Sequence, residues 1–392
     1  MAVDKRIVVT ELDDLPEEIV VDKILVLLPA RDLGRCRVVS KPWRSATSTP
    51  EFMLAHHRCQ QSLPIVEREC KLGVFRACGG GRACYQPLWP SLSNGHYVQI
   101  HAASDGFVVL SVLSRFYICN PAIRQLAPLP QPEFQPTNTL LGFYRHDATG
   151  EYRVLWSSVV DWKRNERKLH VITVGHNQSR NIGVRLSTTS SPPQEQALLE
   201  ALPRDPYSAY KPPVHHRGSL HWMPKCRAEI IVFDTATELF RSMRCATDLD
   251  CLEKLFDMKG KLGVCSPDSC FTYMDVWVMD DYEAEIWDLK YRIDISSIEA
   301  SLPLDLTSPK KEKRKRAVTK RNLVVRIISE IVTLNECELL IGYNDRHVLR
   351  CNIDGNFLGR ANIRKKQYVM ELTKHRLKES IIPIPTRKTQ ED

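Results

Sequence analysis

The feature that most constrains the fold is a strand–turn–strand unit that recurs after about residue 72. Each unit holds one strand, a gap, a second strand, a polar turn and a third strand. The units cover residues 104–130, 217–243, 259–289 and 336–360. The step from Gly218 to Gly260 is 42 residues, and repeats of this size with several strands are typical of propeller blades. We therefore predict an all-β domain, a β-propeller of about six blades, with a β-sandwich as the alternative.

A short helical unit precedes the strands, so the chain as a whole is predicted to be an α+β multidomain protein. Pro16 suits the first turn of a helix, and Pro29 marks the end of that helix. Ser40 is a candidate N-cap for a later helix, and Pro50 opens the last one. We expect the two histidines at 56–57, which end that helix, to face solvent.

The helical unit carries more apolar side chains than a unit of its size can bury. Residues 19–28 include eight apolar positions and two polar ones, Asp22 and Lys23. A unit of about 45 residues has a high ratio of surface to volume, so some of these side chains must pack elsewhere. They pack either on the C-terminal part of this chain or on a partner protein.

The spacing of these residues resembles an F-box over about residues 12–55. The chain has LP-x-x-I at 15–19, IL-x-x-LP at 24–29 and L-x-RCR-x-VSK-x-WR at 33–44. The resemblance implies a module of three to four helices that binds the Skp-type adaptor, and through it the cullin, of a ubiquitin ligase. The adaptor-facing positions that it implies are Leu15, Pro16, Ile19, Leu28, Pro29, Val38, Ser40 and Trp43.

Residues 95–375 resemble the F-box-associated interaction domain of plant F-box proteins. The motifs that carry the resemblance include Asn120-Pro121, Gly218-x-Leu220-His221-Trp222, Phe233-Asp234-Thr235 and Trp277-Val278-Met279. The resemblance implies a domain similar to kelch-type propellers that presents its loops to a target protein. Independently, we expect three large side chains to anchor packing between blades, namely Trp222, Trp277 and Trp287.

The charge of the chain is concentrated in one short run. The net charge is +8, and residues 310–321 hold eight Lys/Arg and one Glu, or +7, which leaves 8 − 7 = +1 elsewhere. The composition therefore does not predict a broad nucleic-acid surface. The run fits a nuclear import signal, a solvated loop or a local nucleic-acid contact. The candidate signal residues are Lys310, Lys311, Lys313, Arg314, Lys315 and Arg316.

The remaining sequence offers no chemistry of its own. The 13 cysteines include no C-x-x-C pair, which favours reduced thiols over a metal site. The longest apolar run, 24–28, is too short to span a membrane, and the N-terminus does not resemble a signal peptide. The histidines at 215–216 and 221 have no accompanying ligand cluster, and the glycines at 79–81 lack phosphate-loop spacing. We expect no catalytic residue, metal or cofactor, and no membrane partner.

These observations predict a non-catalytic substrate-recognition subunit of a Skp–cullin–F-box ubiquitin ligase, present in nucleus and cytoplasm. The alternatives are a propeller-fold enzyme and a nuclear binding protein that uses the basic run. The predicted organisation is an N-terminal tail at 1–10, the F-box at 11–57, a linker with first strands at 58–94, the β-domain at 95–376 with a basic loop at 308–322, and a C-terminal tail at 377–392.

Overall fold

The computed structural model describes most of the chain in segments. These are residues 15–68, 71–78, 82–89, 98–113, 115–132, 138–161, 166–176, 179–183, 192–203, 212–223, 229–246, 254–258, 260–268, 272–294, 328–335, 337–343, 347–352, 354–361 and 370–385. The candidate import signal at 310–316 and the glycines at 79–81 lie outside these segments.

The N-terminal part is a helical module that spans residues 15–60. Its elements are α1 (Glu17–Ile19), a π-helical turn (Val20–Ile24), a 3-10 turn (Leu25–Leu27), α2 (Ala30–Val39), α3 (Lys41–Ala46) and α4 (Pro50–Cys59). The single helix predicted from residue 16 to about 28 is therefore wrong, because three short helical pieces cover that stretch. Only its end before Pro29 is as expected.

The π-helical turn explains how this stretch divides its apolar residues. The backbone N–H of Leu25 donates to the carbonyl oxygen of Val20, five residues earlier. Residues five apart then share a face, and Val20, Val21, Leu25 and Val26 are all buried. β-Branched residues are frequent here and lower the propensity for a regular α-helix. The neighbouring apolar residues Ile19, Ile24 and Leu27 are exposed.

Side chains cap the later helices of the module. The Ser40 hydroxyl oxygen accepts a hydrogen bond from the Trp43 backbone N–H at 3.3 Å, which confirms Ser40 as the N-cap of α3. The Thr49 hydroxyl accepts from the Phe52 N–H at 3.2 Å and caps α4. Each such cap contributes about 1 kcal/mol by satisfying a backbone donor that the helix cannot pair.

Six four-stranded antiparallel sheets follow, and they form a six-bladed β-propeller. Blade 1 contains β1 (Ser62–Arg68), β2 (Lys71–Cys78), β3 (Arg82–Pro87) and, from the C-terminus, β24 (Glu371–Lys378). Blade 2 contains β4 (Val98–Ser104), β5 (Phe107–Val112), β6 (Arg115–Asn120) and β7 (Gln125–Pro128). Blade 3 contains β8 (Thr139–Arg145), β9 (Tyr152–Asp161), β10 (Glu166–Thr173) and β11 (Ser179–Ile182).

The other three blades follow in the order of the chain. Blade 4 contains β12 (Val214–His216), β13 (Ser219–Trp222), β14 (Glu229–Asp234) and β15 (Phe240–Arg244). Blade 5 contains β16 (Lys254–Met258), β17 (Lys261–Pro267), β18 (Tyr273–Asp281) and β19 (Ile286–Asp294). Blade 6 contains β20 (Ile328–Thr333), β21 (Glu338–Tyr343), β22 (His347–Asn352) and β23 (Phe357–Arg360). The predicted propeller of about six blades is confirmed, and the sandwich alternative is wrong.

The C-terminal strand closes the ring by completing blade 1. β24 is the innermost strand of that blade and pairs antiparallel with β1, with Ser62 opposite Lys378 and Leu63 opposite Leu377. A bulge between Pro64 and Val66 accommodates the proline, which has no N–H to donate to the sheet. The Arg376 guanidinium donates to the Ser62 carbonyl at 2.7 Å and also to Thr333 of blade 6. One side chain therefore joins the first and last blades.

This closure differs from the predicted boundaries. Strands β1 to β3, at residues 62–87, are three of the four strands of blade 1, whereas a linker with first strands was predicted at 58–94. β24 runs past the predicted boundary at 376 to Lys378, and Ser380, Ile381 and Ile384 beyond it are buried. The physical reason is that blade 1 takes three strands from the start of the propeller and one strand, β24, from its end.

Aromatic side chains fill the spaces between blades. Phe116 of blade 2 meets Trp156 of blade 3 edge to face, with ring centroids 4.9 Å apart. Trp222 is buried between blades 3 and 4, as predicted. Trp277 and Trp287 are only half-buried, and they pack on the cluster between blades 4 and 5. The Trp287 indole N–H also donates to the Arg244 carbonyl oxygen of blade 4 at 3.1 Å.

The strand order places the connections between blades on one side of the propeller. Four antiparallel strands return the chain to the side from which it started, so every innermost strand runs in the same direction. The turn after β4 contacts the helical module through Asp105, which defines the module side. The outermost strands therefore end, and the next innermost strands begin, towards the opposite side, where β19 ends at Asp294 and β20 begins at Ile328.

One of these connections contains a helix that sequence patterns missed. The connection between β11 and β12 includes α5 (Pro192–Ala201). Leu198 is buried against blades 3 and 4, and the Arg167 guanidinium of β10 donates to the carbonyl oxygens of Leu199, at 2.7 Å, and Leu202, at 3.2 Å. The guanidinium thus satisfies carbonyls at the C-terminal end of α5 that the helix leaves unpaired.

No helix in the described segments is long and apolar enough to cross a lipid bilayer. Within the same segments, no group of three or more histidine, cysteine or acidic side chains is arranged to hold a metal ion.

The closure of blade 1 generates a pH-dependent prediction. Glu67 lies directly opposite Glu371, and burial, together with the charge of Glu371, raises the pKa of Glu67 to about 7. The folded state therefore holds a proton that the unfolded chain releases near pH 4.5, so the carboxylate destabilises the fold increasingly as pH rises through 7. We expect Glu67→Gln to raise the melting temperature at pH 8 and to change it little at pH 4.5.

Thermal unfolding measured by circular dichroism between pH 4.5 and 8 checks this expectation. Glu166→Gln, at an exposed position on β10, is the matched control and should leave the melting temperature nearly unchanged at each pH. A Glu67→Gln variant with the same pH profile as the unmodified protein would contradict the interpretation.

Candidate functional site

The orientation of the helical module depends on residues 379–384, which we call the C-terminal connector. The Glu379 carboxylate accepts from the Ala30 backbone N–H at 3.0 Å, at the start of α2. The Glu379 carbonyl oxygen accepts from the His57 Nδ1–H at 3.0 Å. Just before the connector, the Lys378 ammonium donates to the Arg58 carbonyl oxygen at 2.7 Å. The connector and the residue before it therefore contact the start of α2 and the end of α4.

The connector is also fixed to blade 2. The Asn120 side-chain amide donates to the carbonyl oxygens of Ser380, at 3.0 Å, and Ile382, at 2.8 Å. Gly106 has φ +84°, and a Cβ there would lie 2.1 Å from the Ser380 Cβ, so the close approach requires glycine. Ile381 is buried in the core of the helical module with Val20, Leu25 and Phe52, among others. The propeller thus supplies one side chain to the hydrophobic core of the module.

Both histidines at the end of α4 are buried, so the expectation that they face solvent is wrong. The His56 Nε2–H donates to the Leu28 carbonyl oxygen at 2.8 Å. His57 lies between the Glu379 carbonyl and Asp105, whose carboxylate oxygen is 3.6 Å from Nε2. Burial lowers the pKa of both imidazoles, which favours their neutral forms in the folded protein. Sequence patterns missed this because the His57 partner Glu379 comes from the C-terminal connector, and because the Leu28 carbonyl oxygen lies 28 positions before His56.

After this packing, the module still exposes a set of large apolar side chains. The exposed fractions are 44% for Ile19, 36% for Ile24, 62% for Leu27, 86% for Val38 and 79% for Val39. We call these five residues the apolar surface of the module. Of the apolar residues at 19–28, four pack in the module core together with Ile381 from the C-terminal connector. Three remain exposed. Five large exposed apolar side chains on one small module make it a candidate protein-binding surface.

The structure divides the eight predicted adaptor-facing residues into two sets. Exposed are Pro16, Ile19, Pro29 and Val38. Half-buried are Leu15, Leu28, Ser40 and Trp43, and all of these except Ser40 pack on the module core. Sequence reasoning missed Ile24, Leu27 and Val39 as exposed positions. Their apolar character was visible, but the π-helical turn that turns Ile24 and Leu27 outward was not.

The histidine group in blade 4 has a structural environment. The His221 Nδ1–H donates to the Val214 carbonyl oxygen at 3.2 Å, and Nε2 accepts from the Tyr282 hydroxyl at 2.9 Å. Burial lowers the pKa of His221 to about 3, so the imidazole is neutral at physiological pH. His216 packs on the Tyr282 ring, with centroids 5.3 Å apart. These contacts join blades 4 and 5 and satisfy both nitrogens of His221.

The acidic residues of the β18–β19 turn are likewise engaged in local structure. The Asp281 carboxylate accepts from the backbone N–H groups of Glu283 and Ala284, both at 3.0 Å. The Glu285 carboxylate accepts from the Arg241 guanidinium at 3.2 Å and from the Arg244 backbone N–H at 2.9 Å. These carboxylates stabilise a turn and a contact between blades 4 and 5.

Two family models match the two parts of the chain. Residues 12–61 match the model described as F-box-like, and residues 89–305, more than half of the chain, match the F-box associated beta propeller domain. The protein is an F-box protein, and it belongs to the family with an F-box associated beta propeller domain. The helical module is the F-box, and the match to the associated domain spans blades 2 to 5. F-box domains in general bind Skp-type adaptors, and proteins of this family are generally non-catalytic.

Plant proteins are among the relatives. The chain is 25% identical over 312 residues to the F-box protein At1g30790 of Arabidopsis thaliana, covering 71% of this chain and 74% of that protein. It is 26% identical over 314 residues to the F-box protein At1g52495 of the same plant, covering 72% and 70%. A chain from a solved nidogen/laminin complex aligns with a TM-score of 0.42 at 10% identity, over 79% of this chain and 97% of that one.

The shared core of module and propeller generates a second prediction. We expect Ile381→Ala to destabilise the F-box by about 2–5 kcal/mol, because a buried isoleucine leaves a cavity when truncated. Hydrogen exchange of the α2 and α4 amides, measured by mass spectrometry, should accelerate while the blades stay protected. Ile286→Ala, at a half-exposed position on β19, is the control and should change stability by less than about 0.5 kcal/mol. Unchanged exchange in the F-box would contradict the assigned contact.

Proposed function

We propose that this protein is the substrate-recognition subunit of a Skp–cullin–F-box ubiquitin ligase. The F-box binds the Skp-type adaptor, and through it the cullin, while the propeller binds a target protein. The protein forms no bond itself: it holds the target near a charged ubiquitin carrier and so raises the effective concentration of the reacting groups. The observation that carries the proposal is the apolar surface that the F-box retains after packing on its own propeller.

The adaptor contact consists of the eight positions predicted from the F-box signature together with Ile24, Leu27 and Val39. Exposed Ile19 and Val38 supply apolar area that a partner can remove from water. Half-buried Trp43 and Leu15 have only part of their surface outside the module core, and the partner covers that part. Ser40 acts by capping α3 and thereby fixing the position of Trp43.

The target contact lies on the side of the propeller away from the F-box. Connections between strands on a rigid scaffold commonly carry recognition, and the strand order places the connections between blades on that side. α5 lies in one of them and is held by Arg167. In this arrangement the adaptor and the target bind opposite ends of the protein and do not compete for space.

Two substitutions in the full chain test the proposal. We expect Ile19→Asp and Val38→Asp each to weaken adaptor binding by about 30-fold or more, because each places a charge in an apolar contact. Both positions are exposed, so the fold is retained. The double change of Leu15 and Pro16 to Ala should also abolish adaptor co-purification. Isothermal titration calorimetry with the purified adaptor measures the first effect.

Leu289→Asp is the matched control, since Leu289 is 44% exposed on β19 of the propeller. It should bind adaptor normally. With a proteasome inhibitor present, the target should co-purify with Ile19→Asp as well as with the unmodified protein, because the propeller is intact. Adaptor binding that survives Ile19→Asp and Val38→Asp would overturn the proposal.

We also propose that the protein is present in nucleus and cytoplasm, with the basic residues at 310–316 as an import signal. Replacing the six Lys and Arg residues of this stretch by Ala should shift a fluorescent fusion towards the cytoplasm, because import receptors bind such clusters through acidic grooves. Live-cell imaging measures the ratio between compartments. Lys261→Ala, which removes an exposed lysine elsewhere, is the control, and an unchanged ratio in the six-residue variant would count against the signal.

A further inference from the structure

A groove separates the F-box from blades 1 and 2, and no residue of the described segments fills it. Its volume is about 580 Å³. One wall is α2, and the other is formed by blade 1, the turn between β6 and β7, and the start of the C-terminal connector. A space of this size can accept several side chains of a partner.

Part of the groove lining is apolar. Leu63, Val74 and Leu377 of blade 1 line the groove and are largely buried. Leu88 and Trp89, which follow β3, are half-buried along its outer side. An occupant therefore gains by placing an apolar side chain here, where it displaces water from a concave surface.

The rim of the groove is positively charged. Arg31 of α2 and Arg124 of the β6–β7 turn stand on opposite walls, and both are exposed. Within the described segments neither arginine has an ion-pair partner. Asp32 pairs with Arg35 at 2.9 Å. The Glu379 carboxylate, which accepts from the Ala30 N–H, also lines the groove, but the lining arginines Arg31, Arg35 and Arg124 outnumber it. The rim therefore favours an occupant that carries negative charge.

The groove is continuous with the apolar surface of the F-box. Val38, which is 86% exposed, lines the mouth of the groove and also belongs to that surface. A partner that covers Val38 is therefore placed at the opening between α2 and the propeller. We infer that an acidic segment of the Skp-type adaptor, with an apolar anchor residue, extends past the F-box and occupies this groove.

This inference rests on the proposed function and adds to it a contact between the adaptor and the propeller. In that arrangement the adaptor binds two domains of the same chain, and its negative charge meets Arg31 on one wall and Arg124 on the other. The contact reduces rotation of the propeller relative to the ligase, because a second point of attachment restricts the joint between F-box and blades.

Gly34 provides a steric test from the F-box wall. It lies on α2 and lines the groove, and a Cβ built on it meets no heavy atom within 4 Å. Gly34→Trp therefore adds a large side chain to this wall of the groove, starting from a Cβ position that is free. Gly34→Ala is the matched control, because it keeps the groove open and slightly favours the helix.

Arg124 provides an electrostatic test from the propeller wall, outside the F-box. Arg124→Glu reverses the charge, and Arg124→Lys retains it. Arg124 has φ +57°, and the backbone strain is common to both variants because both carry a Cβ. Charged residues at the rim of an interface mainly change the association rate and its dependence on salt.

Adaptor binding to the full chain is measured by biolayer interferometry at 50 and 300 mM salt. We expect Gly34→Trp to weaken binding about ten-fold while Gly34→Ala binds normally. We expect Arg124→Glu to slow association about five-fold at low salt, with a smaller effect at high salt, while Arg124→Lys is unchanged. Hydrogen exchange at residues 86–89 and 121–124 should decrease when the adaptor binds.

The result that overturns the inference is normal binding by both Gly34→Trp and Arg124→Glu, with exchange protection confined to residues 15–60. Protection of 86–89 that requires the target protein or a small organic acid, and not the adaptor, overturns it in favour of that occupant. Ile19, which does not line the groove, separates the two proposals. If Ile19→Asp abolishes adaptor binding while the groove variants bind normally, the proposed function stands and the groove contact fails.

Discussion

The pairing of β24 with β1 is the interaction on which the rest of the structure depends. It joins the first and last strands of the propeller, with Ser62 opposite Lys378, and closes the ring of blades. The Arg376 guanidinium reinforces the closure by binding backbone and side-chain oxygens of Ser62 and Thr333. Because β24 leads directly into the C-terminal connector, the same pairing positions Glu379 and Ile381 under the F-box. The strand pairing that closes the ring therefore also places the connector residues that contact the F-box.

The F-box combines two requirements that compete for the same residues. It needs a core, and it needs apolar side chains left over for a partner. The π-helical turn resolves this competition by directing Val20 and Leu25 inward and leaving Ile24 and Leu27 outside. Ile381, which follows the last propeller strand, packs in the core of the module. The exposed apolar side chains of the module are therefore not needed to fill that core.

The parts of the fold that sequence predicts are those set by local spacing. The period of the β units predicted the propeller, and the polar turn at Asp234 was recognisable because its carboxylate caps its own turn, accepting from the Ala236 and Thr237 N–H groups. The N-cap role of Ser40 followed from its position before Trp43. The burial of His57 and the membership of residues 62–87 in blade 1 could not be predicted, because they depend on contacts with residues more than 300 positions away, such as Glu379 with His57. The burial of His56 was missed because its partner, the Leu28 carbonyl oxygen, lies 28 positions earlier in the module. The π-helical turn was missed for a different reason: its apolar spacing also suits an ordinary helix.

The even number of strands in each blade has a consequence for how such proteins diversify. Since the passage after an outermost strand leaves the blade at the end remote from the Asp105 contact with the F-box, insertions there leave the packing between F-box and propeller unchanged. The stretch between Asp294 and Ile328 and the helix α5 occupy two of these passages. A lineage can lengthen or replace these passages, and so change that face of the propeller, without altering the F-box.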